Sequence, residues 1–364
     1  MKELKDFFYL QMAYGLAEKA IGWASPNPYV GAVIVKKDTI IGHGYHERPG
    51  KLHAEVIALQ RAGSLARNST AYINLEPCVH WGKTPPCIES LLQARVGRVV
   101  VSDFDPNPLV SKKGIKKLKE AGIEVSLGLL QEKNRRLNET YIKYITKNIP
   151  FVAAKVAVSL DGKMATKTFS SRWISSAETR KYIHLLRGEY DALMIGVNTL
   201  IKDDPLLTVR HPNWRSKRLT RIILDSHLRF PLGSRILSTL SRGKILVFTL
   251  KQAPPKKADA LRKKGVEVIP LSSSRIDSNK VLSWLGEHEI SSVLVEGGGR
   301  LLTSMLEERA VDKIFVTLSP KLIGGKAAPT FLQGKGADFI KDSVSLKRTH
   351  SFQIDEDLIV EGYL

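Results

Sequence analysis

Two cysteines in 364 residues leave no room for a disulfide framework. In a chain read as intracellular, such a pair points to metal binding or catalysis instead. No uninterrupted apolar run is long enough to cross a bilayer, so no membrane partner is expected and a cytoplasmic location is. The opening "MKELKDFFYLQMAYGLAEKAIGW" starts basic and turns apolar. Asp6, Gln11, Glu18 and Lys19 interrupt it at helical spacing, which reads as an amphipathic helix and not a secretory signal. Internal repeats and low-complexity tracts are also missing, setting aside solenoid and fibrous architectures.

What is present is a globular composition, 43% hydrophobic and 7% aromatic, with apolar residues spread throughout; a disordered chain is excluded. The length suits two domains. A formal net charge of +20 and a pI near 9.8 would concentrate phosphorylated small molecules around any cleft they line. Lys and Arg are scattered, with no long basic run set apart, so no nucleic-acid partner is expected.

The first half alternates strand and helix signals. "YVGAVIVKKDTIIGHGYH" places two apolar runs around a Lys36-Lys37-Asp38 turn and reads as a β-hairpin. A helix from His53 to about Arg61, the strand "TAYINL", a helix near Cys87, the strand "GRVVVSDFD", the helix "KKGIKKLKEAG" and the strand "GIEVSLG" follow. This is a layered α/β domain with helices on a central sheet. "QEKNRRLNETYIKYITK" reads as one long amphipathic helix, and Pro150 with the fresh strand signal after it places a boundary near residue 148. In the second half strand signals recur at "YDALMIG", "RIILD", "KILVFTL", "GVEVIPL", "SSVLVEGG" and "KIFVTLSP", while "KQAPPKKADA" and "LSSSRIDSN" read as surface connections.

Both cysteines fall inside "LEPCVHWGKTPPC", downstream of "HAEVIALQRAG". A catalytic zinc takes about three imidazole and thiolate ligands and leaves one position for water. His53, Cys78 and Cys87 supply that set. Glu55, two residues past the histidine on the same helix, is placed to move a proton without ligating the metal, because zinc lowers its water's pKa toward ~7. Both cysteines are expected at or just before helix N-termini, where the dipole favours thiolate. This is the His-x-Glu, Pro-Cys pattern of nucleobase deaminases, with the cysteines unusually far apart.

"EPCVHWGKTPPC", with "SPNPYVGAVIV" upstream and "DFDPNPLV" downstream, resembles the deaminase half of the RibD family of bifunctional riboflavin-biosynthesis proteins. The resemblance implies a cytidine-deaminase-like three-layer fold over residues 1–148. It also implies that Asn27, His46, His80, Lys83, Thr84, Asp105 and Asn107 line the pocket around the pyrimidine and its phosphoribosyl arm. The segment Ser111-Lys112-Lys113-Gly114 departs from the small and glycine residues usual there.

"KVAVSLDGKMA", "SRWIS", "LLRGEYDALMIGVNTLIKDDPLLTVR" and "VEGGGRLL" resemble the reductase half of the same family. That half is similar in fold to dihydrofolate reductase and uses NADPH, here over residues 149–364. In physical terms, a buried strand running into Gly297, Gly298 and Gly299 and then a helix lets backbone approach a phosphate. Spaced glycines after the domain's first strand are lacking, which argues against a Rossmann-type site. By resemblance Ala157, Trp173, Thr199, Asp203 and Gly297–Gly299 fall on cofactor positions. Ser171, Arg187, Leu207, Arg210 and Glu296 fall on positions holding the phosphorylated sugar, and a guanidinium fork suits a phosphate. "TKTFS", residues 166–170, lacks the Gly-Glu frequent in relatives.

The resemblance implies one Zn2+ per chain and two steps. First, 2,5-diamino-6-(5-phosphoribosylamino)pyrimidin-4-one is deaminated hydrolytically; then NADPH reduces the ribosyl chain to ribityl. A dimer or tetramer is the assembly expected of the family. Two rival readings are a tRNA-editing deaminase with an accessory domain and a zinc-stabilised binding module. Neither explains the second half, and Glu55 beside an open position argues against the second.

Overall fold

A computed structural model describes residues 2–79, 81, 85–214 and 216–364. The chain divides into two compact units, residues 1–148 and 149–364. No helix among the described residues is long and apolar enough to cross a membrane.

The first unit contains, in order, α1 (Lys2–Ala17), β1 (Gly31–Lys36), β2 (Thr39–Tyr45), α2 (Ala54–Ala62), β3 (Thr70–Leu75), α3 (Cys87–Gln93), β4 (Arg98–Asp103), α4 (Lys113–Glu120), β5 (Glu124–Leu127), α5 (Gln131–Leu137) and α6 (Glu139–Lys147). Five strands among the described residues form one sheet in the order β2-β1-β3-β4-β5. β1 runs antiparallel to β2 and β3, whereas β3, β4 and β5 are parallel. The hairpin turns on Lys37 and Asp38, both at positive φ, the twist that matches a two-residue connection. Alternate strand residues face opposite ways. Ala32, Ile34, Ile73 and Val101 pack against α2, α3 and α4, while Val33, Tyr72 and Val100 pack against α1. The unit is therefore three layers thick.

Two expectations change here. Asp6 is buried, not solvated: Arg98 donates to both its oxygens at 2.7 Å and the Tyr72 hydroxyl adds a third bond. A buried carboxylate needs such partners, and these lock α1 onto the sheet. The single helix expected after Leu130 is two, broken at Asn138. Its fully buried amide binds Tyr29 N–H and C=O and Asn134 Oδ1, using the capacity that makes Asn a poor helix-interior residue.

The second unit contains β6 (Phe151–Ser159), α7 (Ala177–Glu189), β7 (Ala192–Gly196), α8 (Val197–Asp203), β8 (Thr220–Leu224), β9 (Ile245–Leu250), α9 (Pro255–Lys263), β10 (Glu267–Leu271), α10 (Ser278–Glu287), β11 (Ser292–Glu296), α11 (Gly299–Glu307), β12 (Lys313–Ser319), β13 (Lys347–Ile354) and β14 (Asp357–Tyr363). Nine strands among the described residues follow the order β10-β9-β8-β7-β11-β6-β12-β14-β13. From β10 through β12 neighbours are parallel, and β14 and β13 close one edge antiparallel. Phe151 and Ala153 of β6 face a core with residues of α7, α8 and α9; Val152, Ala154 and Val156 face one with α10 and α11. Both faces are covered, as parallel sheets require. The expected connection "KQAPPKKADA" instead starts α9 at Pro255, since proline is tolerated in a helix's first turn.

Candidate active site

In the first unit three chain segments meet. His53 caps α2 from an extended conformation, so its ring projects beyond the helix start. Cys87 is the first residue of α3. Cys78 lies on the loop after β3 and not at a helix terminus, contrary to expectation. Its sulfur accepts the Cys87 N–H at 3.2 Å, and its carbonyl accepts the Ile88 N–H at 3.3 Å. The wide cysteine spacing is thus closed by backbone bonds at the α3 start. His53 Nδ1 lies 2.9 Å from Cys87 Sγ and 3.5 Å from Cys78 Sγ, and the sulfurs are 2.9 Å apart.

The electrostatics are those of a shared proton. The hydrogen bond from Cys87 pulls Cys78 down to about 4, with His53 assisting, while burial pushes Cys87 up. A dication bound between them would favour the ionised form of both sulfurs. The donor set fits zinc: an imidazole and two sulfurs converge, and no further imidazole or carboxylate joins the cluster among the described residues. Glu55, in the first turn of α2, is 3% exposed, and burial pushes its carboxyl above the ordinary carboxylate range.

Of the predicted pocket residues, His46 lies nearest, its ring edge-on to His53 with centroids 5.3 Å apart. Its Nδ1 pairs with Leu52 O at 3.1 Å and its Nε2 with Asn27 Nδ2 at 2.9 Å. A carbonyl only accepts and an amide NH2 only donates, which assigns the Nδ1–H tautomer; burial favours the neutral ring. Asp105 is buried and pushed up to about 6 by that burial, although it accepts from Asn107 N–H and the Tyr141 hydroxyl. Asn107 Oδ1 in turn accepts the Leu109 N–H. His80, Lys83 and Thr84 lie outside the described residues.

Glu76, two residues before Cys78, was not singled out by sequence. It is buried and accepts from Asp105, Lys112 and Ile115 N–H groups at 2.9–3.2 Å. It thereby ties the Cys78 loop to the start of α4. At Gly114, in the unusual 111–114 segment, a Cβ would lie 2.3 Å from Pro77 O, so glycine is required for that approach. The missed signal is an acidic residue directly after a buried strand.

In the second unit a cleft of about 890 Å3 opens where β7 and β11 end. Ser171, Thr199, Asp203 and Gly297–Gly299 line it. Gly297 adopts φ +114°, and a Cβ there would stand 2.8 Å from Thr199 Oγ1. That same oxygen accepts the Gly298 N–H at 3.3 Å. A smaller cleft of about 180 Å3, lined in part by the same residues, brings together Ala157, Ser171, Trp173 and Glu296 with Lys155. Trp173 is 63% exposed under the Arg180 guanidinium, 4.3 Å from the ring centre.

Among the residues expected on the sugar side, the surroundings differ from one to the next. Arg187 donates through Nε and Nη2 to both Glu296 oxygens at 2.7 Å and through Nη1 to Thr208 O, so its fork is occupied by protein. Leu207 packs its side chain into the core. Arg210 lines neither cleft; its N–H meets His184 Nδ1, and burial with Arg187 and Arg235 lowers its pKa. Burial, with Arg187 and Arg210, pushes His184 down to about 4. Lys155, missed by sequence, interrupts the apolar "VAAKVAV" of β6 and stands in register with Glu296. Burial lowers its pKa.

Comparison with known proteins agrees with both units. The family model for the cytidine and deoxycytidylate deaminase zinc-binding region matches residues 4–103, and that for the RibD C-terminal domain matches residues 150–360. Riboflavin biosynthesis protein RibD of Aquifex aeolicus is 45% identical over 98% of this chain and 97% of its own. RibD of Acinetobacter baumannii, form 2, superposes with a TM-score of 0.87 at 34% identity, covering 100% of this chain and 99% of that one. A Thermotoga maritima diaminohydroxyphosphoribosylaminopyrimidine deaminase/5-amino-6-(5-phosphoribosylamino)uracil reductase gives 0.87 at 33% identity, with the same coverage. With a zinc-type donor set in one unit and an open cleft at the strand ends of the other, the chain belongs to the RibD family, the bifunctional zinc-dependent deaminases and NADPH-dependent reductases of riboflavin biosynthesis.

Proposed function

We propose the following division of the two reactions between the two units, 1–148 and 149–364, and their residues. In the first, His53, Cys78 and Cys87 hold zinc, which when bound supplies an activated water. Glu55 takes a proton on that side of the pyrimidine and returns it to the departing amine. Its raised pKa suits it to both directions, since a proton carrier works best near the operating pH. The substrate is 2,5-diamino-6-(5-phosphoribosylamino)pyrimidin-4-one. Neutral His46, fixed by Leu52, orients Asn27 at its edge, while Asp105 and Asn107 line the wall that Glu76 fixes. His80, Lys83 and Thr84 complete the same set by resemblance to the family. Convergence of three donors beside a buried glutamate carries this reading.

In the second unit NADPH, when bound, supplies the hydride that converts the ribosyl to the ribityl chain. Gly297–Gly299, Thr199 and Asp203 bind it, with Ala157 and Trp173 at the end where the sugar meets it. Glu296, oriented by Arg187, and Ser171 position the sugar, and Lys155 beside them is the available proton source. Arg210, near His184 and Arg235, provides the cationic field for the sugar phosphate, and Leu207 supports it from the core. The protein aligns the partners and excludes water.

Incubating the purified chain with that substrate and NADPH, and following ammonia release and NADPH oxidation separately, tests the division. A chelator should abolish the first signal and leave oxidation of pre-deaminated substrate intact. Oxidation that fails equally on the pre-deaminated compound would refute it. Assembly as a dimer or tetramer in the cytoplasm belongs to the same proposal and rests on family membership; sedimentation of the purified chain checks the assembly.

A further inference from the structure

The family match for the deaminase zinc-binding region ends at residue 103, and that for the second unit begins at residue 150. Helix α6 lies between them, and none of the roles assigned above falls on it. Two side chains at its start nevertheless reach the loops that carry pocket residues. Asn138, its N-cap, accepts the Tyr29 N–H at 2.7 Å, two residues along the chain from Asn27. One turn further on, the Tyr141 hydroxyl donates to Asp105 Oδ1 at 2.8 Å. Tyr141 is the one fully buried side chain within α6, so this bond is made out of reach of competing water.

The bond decides how Asp105 presents itself. The Asp105 N–H donates to Glu76 at 3.2 Å, which holds the main chain. Oδ1 accepts the Asn107 N–H at 2.9 Å as well as the Tyr141 hydroxyl, while Oδ2 accepts no hydrogen bond among the described residues. The Asn107 bond is local and closes a turn two residues long. By itself it leaves the carboxyl free to rotate about its last torsion, which is broad and two-fold, so the two oxygens can exchange. A second donor, brought to the same oxygen by a different element, fixes which oxygen is committed to the protein. Burial pushes the Tyr141 pKa up, so the hydroxyl keeps its proton and serves as a donor. Asp105 is itself buried, and a buried carboxylate oxygen without a donor is costly. The ribose hydroxyls and the N–H groups of an aminopyrimidine riboside are donors of the kind it lacks.

We infer that Tyr141 is a positioning residue of the deamination step: its hydroxyl holds Asp105 Oδ1, so that Oδ2 is the oxygen offered to a donor of the substrate. The inference rests on the reading that Asp105 lines the pocket for 2,5-diamino-6-(5-phosphoribosylamino)pyrimidin-4-one. Steady-state ammonia release from that compound by the full chain tests it, with zinc content measured on every variant. Tyr141→Phe keeps the ring and removes only the bond. It should raise KM about 3- to 10-fold, the range for one hydrogen bond, with kcat changed by less than about twofold, since lost uniform binding appears in KM alone. Zinc content should be unchanged. In Asp105→Asn the two protein donors select the amide oxygen, which turns the NH2 toward the substrate's donor, so KM should rise. Adding Tyr141→Phe to it frees that amide to turn over, and KM should be no higher than in Asp105→Asn alone. An unchanged KM in Tyr141→Phe would overturn the inference, as would a fall in zinc content and kcat without a rise in KM, which marks a structural role. So would a double variant whose KM rises by the same factor as in the wild-type background. An unchanged KM in Asp105→Asn would instead overturn the placement of Asp105 beneath it.

Discussion

Replacing Arg187 by methionine isolates what its guanidinium does for Glu296. The two are joined by paired 2.7 Å bonds, with side chains 14% and 13% exposed. Methionine keeps much of the packing stem and removes the charge, leaving a buried carboxylate with Lys155 and Arg210 among its remaining cationic neighbours. Breaking a buried pair from one side costs ~3–5 kcal/mol. Lys155 still faces Glu296, so a loss near the lower end, about 3 kcal/mol, is expected. Adding Glu296→Gln removes the stranded charge, and the double variant should be more stable than the sum of the singles by ~1–3 kcal/mol. The pH dependence should also change sign. In the wild type, burial would raise Glu296, but Arg187 outweighs it and the carboxyl is held below its ordinary 4.5. That contribution is present above 4.5 and lost as pH falls through the folded value. Without Arg187, burial is no longer outweighed and the folded state favours the neutral acid. The deficit of Arg187→Met against wild type should therefore shrink as pH falls from 7 toward 4.5. Urea unfolding followed by circular dichroism between pH 5 and 8 measures all three. Strict additivity, or a variant as stable as wild type, would refute the claim that the pair is one buried, coupled unit.

Glu55→Gln should lower deamination by about 10²–10⁴ with zinc content by mass spectrometry unchanged; full turnover would remove Glu55 from proton transfer. Cys87→Ser should reduce zinc occupancy and ammonia release together while NADPH oxidation on pre-deaminated substrate persists, and unchanged metal content would mean the ligand set is wrong. Arg210→Ala should raise KM for that substrate at least several-fold with zinc retained, so an effect confined to deamination would contradict the division of labour. Asp105, raised by burial from 3.8 to about 6, favours its neutral form when folded. The stability this lends is complete below 3.8 and lost as pH rises through about 6. Asp105→Asn should accordingly gain on the order of 2–3 kcal/mol at pH 7 and flatten the profile between pH 4 and 6. A profile as steep as the wild type's would assign that dependence elsewhere.

The parts legible in the sequence are those fixed by local rules. The Lys37-Asp38 turn, the β3 strand "TAYINL" and the helix opened by His53 each follow from a short periodic pattern with its own punctuation. What escaped depends on partners distant in sequence. Asp6 reads as a solvated helix position until Arg98 is seen across the sheet. Glu76 looks like a link between a strand and a cysteine until three N–H groups from beyond Phe104 converge on it. Arg187 suggested a phosphate grip because a guanidinium fork suits one; which acceptor fills the fork is decided by β11, over a hundred residues later. β13 and β14 went unnoticed because β13 is exposed along most of its length, so no alternation of apolar and polar residues marks it.

The two units use the ends of parallel strands in opposite ways, which bears on the chemistry each performs. A parallel sheet with crossover helices gathers helix N-termini, and their unpaired N–H groups, beside its strand ends. In the first unit the protein fills these positions itself. Glu76 takes the Ile115 N–H at the start of α4, and Cys78 takes the Cys87 N–H at the start of α3. Donors already satisfied leave little for an anionic cofactor, but they hold a thiolate and a carboxylate wall rigidly, which suits a metal that tolerates little displacement of its ligands. In the second unit α8 and α11 are each capped by a glycine, Gly196 and Gly298, with no side-chain cap bond at either. A Cβ on Gly297 would collide with Thr199. Neither end is closed by a capping side chain, which leaves room for the phosphorylated cofactor proposed there. Substituting Gly297 by alanine should therefore weaken NADPH binding, measured by calorimetric titration, because its Cβ would stand against Thr199 in the middle of the cleft; unchanged affinity would refute that placement.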